Sequence, residues 1–331
     1  MFIKMFRSLV IFLCFAISGF SNENAYSIVF VYIGKIPPYI EHTISQARLF
    51  NPGASIFLIG NKKSLETLKS TKIDECRINK IACESLKKTL EHKLFDQNCE
   101  AKNRSQYWKF SAERFMYIDE LMNDYRLENV FQVECDVMLY VDLKDLLNVF
   151  SLYEGIGAPF QNDNLGSVSF TYFATAEAAR NFAQFIPKHV EEADMTILAM
   201  YKNINTAREI DYLPIIFKEY ADDRPLMSKI GQRTSNPKRF YSNCEKFNSI
   251  FESDLLGTYL IGNPGIIGNQ VLYNPDLFKV VWIKDEKGRN VPYVKYKDVQ
   301  YRLNTLHIYH KAKLSCFSSL NSKMEYPVNK N

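Results

Sequence analysis

The chain has 331 residues, 47% of them apolar and 24% charged, with 24 Phe and 20 Tyr against only 13 Gly and 12 Pro. That balance excludes a disordered or fibrous chain and provides for a large packed core. The net charge of +4 is too small for a polyanion-binding surface and excludes a nucleic-acid partner.

Lys4 and Arg7 precede an apolar run, Leu9 to Phe20, which contains the small residues Ser18 and Gly19 and is followed by Ser21. A basic end, a short apolar stretch and small residues together predict an export signal over residues 1–21. The run is shorter than the ~20 apolar residues that span a bilayer. Cleavage near Ser21 would release an exported chain, secreted or lumenal or periplasmic; an uncleaved segment would make a short anchor and the only membrane contact. Residues 22–331 are read as one α/β domain, since no Gly/Ser-rich or proline linker divides them.

In chain order, Ser27–Ile33 (SIVFVYI) is an unbroken β-branched and aromatic run suited to a strand buried on both faces. Ile40, Ile44 and Ala47 recur at helical spacing up to Asn51-Pro52-Gly53. Ala54–Gly60 predicts a second buried strand, followed by a helix-like stretch to Ser70. This alternation is the pattern of a mainly parallel sheet with crossover helices. Thr71–Lys102 is lysine-rich and polar, and is read as a variable excursion with a short strand near Lys80–Ala82. A strong helix is predicted over Ser105–Tyr125, with Trp108, Phe115, Ile118, Met122 and Tyr125 on one face. A core strand, Asn129–Val133, then ends on Glu134-Cys135-Asp136.

Beyond it, a helix is expected over Leu143–Phe150, a strand over Ser167–Ala174, and helices over Thr175–Ile186 and Ala193–Lys202. After Leu213-Pro214 the periodicity fades into aromatic loops as far as the His307 region. There Gly257, Gly262, Gly265 and Gly268 mark a stretch whose backbone approaches something closely. Apart from Cys14, six cysteines remain, an even number that permits disulfides in an exported chain. Cys76, Cys83 and Cys99 cluster and are the expected pairing partners, two of the three joined. Cys135 is read as a small buried residue rather than a nucleophile.

Glu134 and Asp136 stand two apart at a strand end, so both carboxylates project from the edge where open α/β sheets bind ligands. Such a pair holds a hard cation, Mg²⁺ or Mn²⁺, through oxygen. The surrounding segment SQYWKFSAERFMYIDELMNDYRLENVFQVECDVMLYVDL (Ser105–Leu143) resembles glycosyltransferases of the GT-A, nucleotide-diphospho-sugar type. In those enzymes an aromatic, basic helix precedes a strand ending in a DxD motif; here Glu134 replaces the first Asp. Phe30–Pro52 is similar to their first βα unit, which implies that Val31, Tyr32 and Ile33 line the base and ribose pocket. The segment LHIYHK looks like their C-terminal metal-ligand element, with His307 the matching position, His310 the alternative, and Lys311 a point charge for the diphosphate.

The resemblance implies a metal-dependent hexosyl transfer from a nucleotide sugar to a glycan, protein or lipid acceptor. Asp194 lies where such enzymes place a residue touching the donor sugar or acceptor, and also reads as a capping acid. Asp254 resembles an acceptor-side position. Arg114 is read as neutralising the nucleotide or as forming a helix-face salt bridge, and Trp108 as stacking on a base or sugar or as packing in the core. Two other readings stay open: a nucleotidyltransferase, which calls for a glycine-rich phosphate loop where this chain has Gly34-Lys35-Ile36-Pro37-Pro38-Tyr39, and an inactive binding protein on a transferase fold.

Overall fold

The computed structural model describes residues 26–68, 72–204, 210–223, 236–253, 256–257 and 279–321. The expected export signal, Asp254, Gly262, Gly265 and Gly268 lie outside these residues. Among the described residues no helix is long and apolar enough to cross a membrane.

The fold is mixed α/β, built on a mainly parallel central sheet flanked by helices. Strands β1 (Ser27–Tyr32), β2 (Ser55–Gly60), β3 (Asn79–Ala82) and β4 (Val130–Val133) are joined by helix α1 (Ile40–Phe50) and, further on, α2 (Leu90–Ala101) and α3 (Gln106–Tyr125). Next come β5 (Val137–Leu139), β6 (Ile156–Ala158), the small hairpin of β7 (Phe160–Asn162) and β8 (Leu165–Gly166), and β9 (Phe170–Phe173). They are followed by α4 (Ala176–Phe185), α5 (Asp194–Ile204) and β10 (Ile210–Tyr212). The seven-stranded sheet runs β10-β6-β9-β4-β1-β2-β3. β1 pairs in parallel with β2 and β4, while β9 is antiparallel to both β4 and β6.

Side-chain alternation puts a core on each face. Ile28, Phe30, Ile56, Leu58, Phe131 and Val133 pack with Ile40, Ile44 and Ala47 of α1 on one side. Val29, Phe57, Ile59 and Val130 pack with Phe115, Ile118, Leu121 and Met122 of α3 on the other. Double-sided burial is why these strands read as unbroken apolar runs. α1 stops at Asn51, whose buried side chain donates to the carbonyls of Ala47 and Val141 and accepts from the Leu143 N–H and the Tyr26 hydroxyl.

Several expectations change. The short strand expected near Lys80–Ala82 is β3, paired in register with β2, but the supposed excursion before Lys102 also holds all of α2. Only His92, Phe95 and Cys99 of α2 are buried, too few apolar positions for a helical stripe to show. The Leu143–Phe150 segment is a 3₁₀ turn followed by one α-helical turn, and Trp108 and Tyr125 lie at the surface rather than on the buried face.

Cys76, Cys83 and Cys99 do not pair: all six described cysteines are free thiols. Cys76 packs in the core on the α1 side of the sheet and the other two pack in the opposite core. Burial pushes the thiols of Cys83 and Cys99 up to about 11.

The aromatic region after Leu213 is also more regular than its sequence pattern. β11 (Ser249–Ile250), β12 (Lys279–Lys284), β13 (Asn290–Tyr296) and β14 (Val299–Leu303) form a four-stranded sheet in the order β11-β14-β13-β12. The β12–β13 hairpin turns at Gly288, in the left-handed region at φ 72°, with Asp285 accepting from the Lys287 and Arg289 N–H groups. β15 (Thr305–His307) then leaves this sheet to pair antiparallel with β5.

Candidate functional site

β4 delivers Glu134-Cys135-Asp136 to the carboxyl edge of the central sheet. The Glu134 N–H donates to the Ser169 carbonyl at 2.9 Å, and the Val137 N–H closes the turn on the Glu134 carbonyl at 3.1 Å. From α1, the Thr43 hydroxyl donates to the Cys135 carbonyl at 2.7 Å. Cys135 points inward, and burial raises its thiol far above the ordinary range, consistent with a packing role.

The β5–β15 ladder brings in the distant third residue. Val137 is paired with His307, and the Ile308 N–H donates to the Asp136 carbonyl at 2.9 Å. His307 Nε2 thereby lies 3.2 Å from Asp136 Oδ2. The backbone of His307 is itself held by buried Glu252, whose carboxylate accepts from the His307 N–H at 2.5 Å and from the Gly257 N–H at 3.0 Å. A Cβ on Gly257 would fall 1.7 Å from the His307 carbonyl oxygen, so this glycine makes the close backbone approach that its sequence context suggests.

Two cations complete the cluster. Lys311 Nζ is 2.5 Å from Asp136 Oδ2. Arg114, from α3, forms an ion pair with Glu134 and reaches Asp194 Oδ2 at 2.7 Å. Asp194 is the first residue of α5, and its side chain faces Arg114 and accepts from the Met195 N–H at 2.9 Å.

Burial by itself would raise the Asp136 carboxyl, but His307 and Lys311 outweigh it and hold the group well below the usual carboxylate range. Asp194 is raised, because its burial exceeds the opposing pull of Arg114. Burial disfavours the charge on Lys311, and Asp136 more than restores it. Arg114 likewise stays fully charged against its burial through Glu134 and Asp194.

The donor atoms of Glu134, Asp136 and His307 all lie within 4.8 Å of one another. Two carboxylates and an imidazole suit a divalent cation such as Mn²⁺ or Mg²⁺. The fit is supported by Asp136 Oδ2, which already attracts the Lys311 ammonium.

The remaining predicted residues divide. Val31, Tyr32 and Ile33 are half-buried where β1 ends, and Tyr32 and Tyr39 are electrostatic neighbours of one another. The electrostatic neighbours of both tyrosines include Asp136. Trp108 is 41% exposed, edge-on to Tyr107 with ring centres 5.1 Å apart and with the Arg104 guanidinium 5.6 Å from its ring centre; core packing is excluded. Sequence reasoning missed Tyr39, Tyr107, Glu252 and Tyr309. Tyr309 follows His307 closely enough to have been suspected, whereas Glu252 acts only through the tertiary fold.

A second cluster is also unannounced by the sequence. His92, fully buried on α2, places Nδ1 2.8 Å from Glu120 Oε1 and Nε2 3.0 Å from Glu113 Oε1, both on α3. His92, Asp96 and Glu113 have metal-like spacing, but Lys88 and Lys109 already bind Asp96 at 2.7 and 2.5 Å. The cluster is better described as an internal ion network.

No protein-family model matches the chain, and no curated protein matches it. Among solved structures, mouse xyloside xylosyltransferase 1 in its apo form aligns with a TM-score of 0.42 and 9% identity, over 60% of this chain and 89% of that one. An active-site mutant of LgtC aligns at 0.38 and 11% identity, over 66% and 83%. A cytidylyltransferase from Leptospira borgpetersenii aligns at 0.39 and 11% identity, over 76% and 100%. Alignments this loose assign neither a family nor a reaction.

Proposed function

We propose that this chain is a metal-dependent glycosyltransferase of GT-A type that moves a sugar, a hexose by resemblance, from a nucleoside-diphosphate donor to a glycan, protein or lipid acceptor. The observation that carries this reading is the convergence of Glu134, Asp136 and His307, remote in sequence, on one point at the ligand-binding edge of the sheet. The resemblance of Ser105–Leu143 and of the LHIYHK segment to such enzymes supports it.

Glu134, Asp136 and His307 would hold Mn²⁺ or Mg²⁺, which would supply Lewis-acid stabilisation of the departing diphosphate. Lys311, now on Asp136, is free to turn its ammonium towards that diphosphate when the carboxylate is otherwise engaged, placing positive charge where negative charge develops. Arg114 fixes Glu134 and Asp194 relative to one another, so that Asp194 can orient the donor sugar. Val31, Tyr32 and Ile33 would border the base and ribose, with Trp108 an exposed stacking surface nearby in sequence to Arg114. Asp254 is assigned to the acceptor side, by resemblance. Export through residues 1–21 belongs to the same proposal.

The nucleotidyltransferase reading is less well supported by the turn after β1. There the Gly34 N–H donates to Asn61 Oδ1 at 2.6 Å and the Gly34 carbonyl accepts from Ser64 Oγ at 2.6 Å, so the backbone is spent on protein rather than aimed at a phosphate. A thermal-shift screen of UDP, GDP, CMP, CTP and common nucleotide sugars, with and without Mn²⁺, tests the proposal on wild type and Asp136→Ala. A nucleoside diphosphate or its sugar should stabilise wild type only with metal, by about 3 kcal/mol at a hundred times its Kd, and should not stabilise the variant. Stabilisation by CTP alone, or by none of them, refutes it.

A further inference from the structure

Large aromatic side chains at a protein surface expose apolar area that folding would otherwise bury. Two such side chains border the carboxylate cluster. Tyr107 is 73% exposed in the first turn of α3, and Tyr309 is 56% exposed in the segment following β15. Tyr107 and Arg114 are seven residues apart on one helix and therefore share a face; Arg114 points into the cluster, at Glu134 and Asp194. The Tyr107 hydroxyl lies within electrostatic reach of Asp194, Glu134, Lys311 and Tyr309. Tyr309 stands edge-on to the His307 ring, centres 6.4 Å apart, with Lys311 Nζ 5.2 Å from its own ring centre.

Two exposed rings, one from the first turn of α3 and one from the segment after β15, thus border the same charged cluster. Their chemistry selects a ligand with an apolar face and hydroxyls at its rim. A pyranose ring has this form: its axial C–H face covers an aromatic ring while its equatorial hydroxyls hydrogen-bond to polar groups at the rim. A nucleobase also stacks on aromatic rings, but the end of β1 offers it a separate pair, Tyr32 and Tyr39. Tyr32 has Cys135, Tyr39, Lys311 and Asp136 among its electrostatic neighbours, whereas Tyr107 stands on a different element, the first turn of α3.

We propose that Tyr107 and Tyr309 form a stacking platform for a sugar ring of the acceptor, and that the acceptor is therefore a glycan. This rests on the glycosyltransferase reading and narrows its acceptor from the broader set of glycan, protein or lipid. Trp108 is a built-in reporter, since its ring meets the edge of Tyr107; Trp282, the other tryptophan, lies on β12.

The test is binding of labelled protein, free of nucleotide and added metal, to a printed array of oligosaccharides. The glycans retained are then titrated in solution against Trp108 fluorescence in a Trp282→Phe background. Wild type should retain at least one class of glycan and give a saturable change in emission. Tyr107→Ala and Tyr309→Ala should each weaken binding by about tenfold or more, while Tyr107→Phe and Tyr309→Phe should stay within about twofold of wild type. Both tyrosines are exposed, and circular dichroism verifies that each variant is folded. Retention of no glycan by wild type, or alanine variants that bind as wild type does, overturns the proposal. So does loss of uridine or guanosine binding in the alanine variants with glycan binding intact, which would make the rings a base platform. The nucleotide screen described above is independent of this test: glycan binding without metal-dependent nucleotide binding would sink the transferase reading and leave the platform standing.

Discussion

Replacing His92 with alanine removes a positive charge from between two glutamates that have almost no contact with water. His92 is 0% exposed and its partners Glu113 and Glu120 are 3% and 1% exposed. Each ring nitrogen faces a carboxylate oxygen, so each acts as a donor and the imidazole is in its charged form. Burial alone would lower the histidine, but hydrogen bonds to Glu113 and Glu120 raise it above its ordinary value. Each charge-assisted bond is worth about 1.5–3 kcal/mol, and stripping one member from a buried ion network costs about 3–5 kcal/mol because the others stay uncompensated.

We expect His92→Ala to lower the unfolding free energy by ~3–5 kcal/mol near pH 6, measured by urea denaturation. Between the unfolded value of about 6.5 and the raised folded value, the native state holds the extra proton. The histidine's contribution is therefore complete below about pH 6.5 and declines as pH rises through the folded value, by at most ~1.4 kcal/mol per unit. The difference between wild type and variant should shrink accordingly above neutrality. Combining His92→Ala with Glu120→Gln should cost less than the sum of the two, by about 1–3 kcal/mol. A loss under ~1 kcal/mol, or a difference that is constant from acid to alkaline pH, would show that the imidazole is neutral and the network unimportant.

Gly257→Ala should displace either its own turn or the His307 backbone, since the added methyl has 1.7 Å to a carbonyl oxygen. A drop in stability of about 1–3 kcal/mol and weaker Mn²⁺ binding are expected by calorimetry, and wild-type values for both would contradict the packing described. Asp119, 1% exposed, is pushed up to about 6, first by burial, with Arg180 opposing and Glu120 adding to it. Its folded state favours the proton, so its contribution is greatest below the ordinary aspartate value and is lost as pH rises through about 6. Asp119→Asn, which mimics the protonated form, should raise the melting temperature at pH 8, by the equivalent of ~1–3 kcal/mol, and give little gain at pH 4; a lower melting temperature at pH 8 would count against it.

The elements legible in the sequence are those whose burial is complete. β1, α1, β2 and β4 bury mostly apolar residues, α3 keeps an apolar face although it also buries Glu113, Asp119 and Glu120, and the carboxylate turn follows from where β4 stops. Half-buried elements were not legible. β12 has no fully buried residue, and α2 turns a histidine rather than an aliphatic side chain into the core. The cysteine pairing failed because proximity in sequence does not reveal that a sheet separates Cys76 from Cys83 and Cys99. In the site, Asp136 and His307 were found by residue type, but the ladder that joins them, and the roles of Glu252 and Gly257 in holding it, exist only in three dimensions.

The way β15 closes the site also sets its place in time. Asp136 waits for His307 and Lys311, just as Gln46 of α1 waits for Ser319, a partner 273 residues further on. At about 5–20 residues per second of synthesis, the central sheet, complete at β10, can assemble roughly 5–20 seconds before those partners exist. Throughout that interval Asp136 lacks the two partners, His307 and Lys311, that lie beside it in the finished chain. The carboxyl edge of β4 is therefore completed last, by strands made after the rest of the sheet around it.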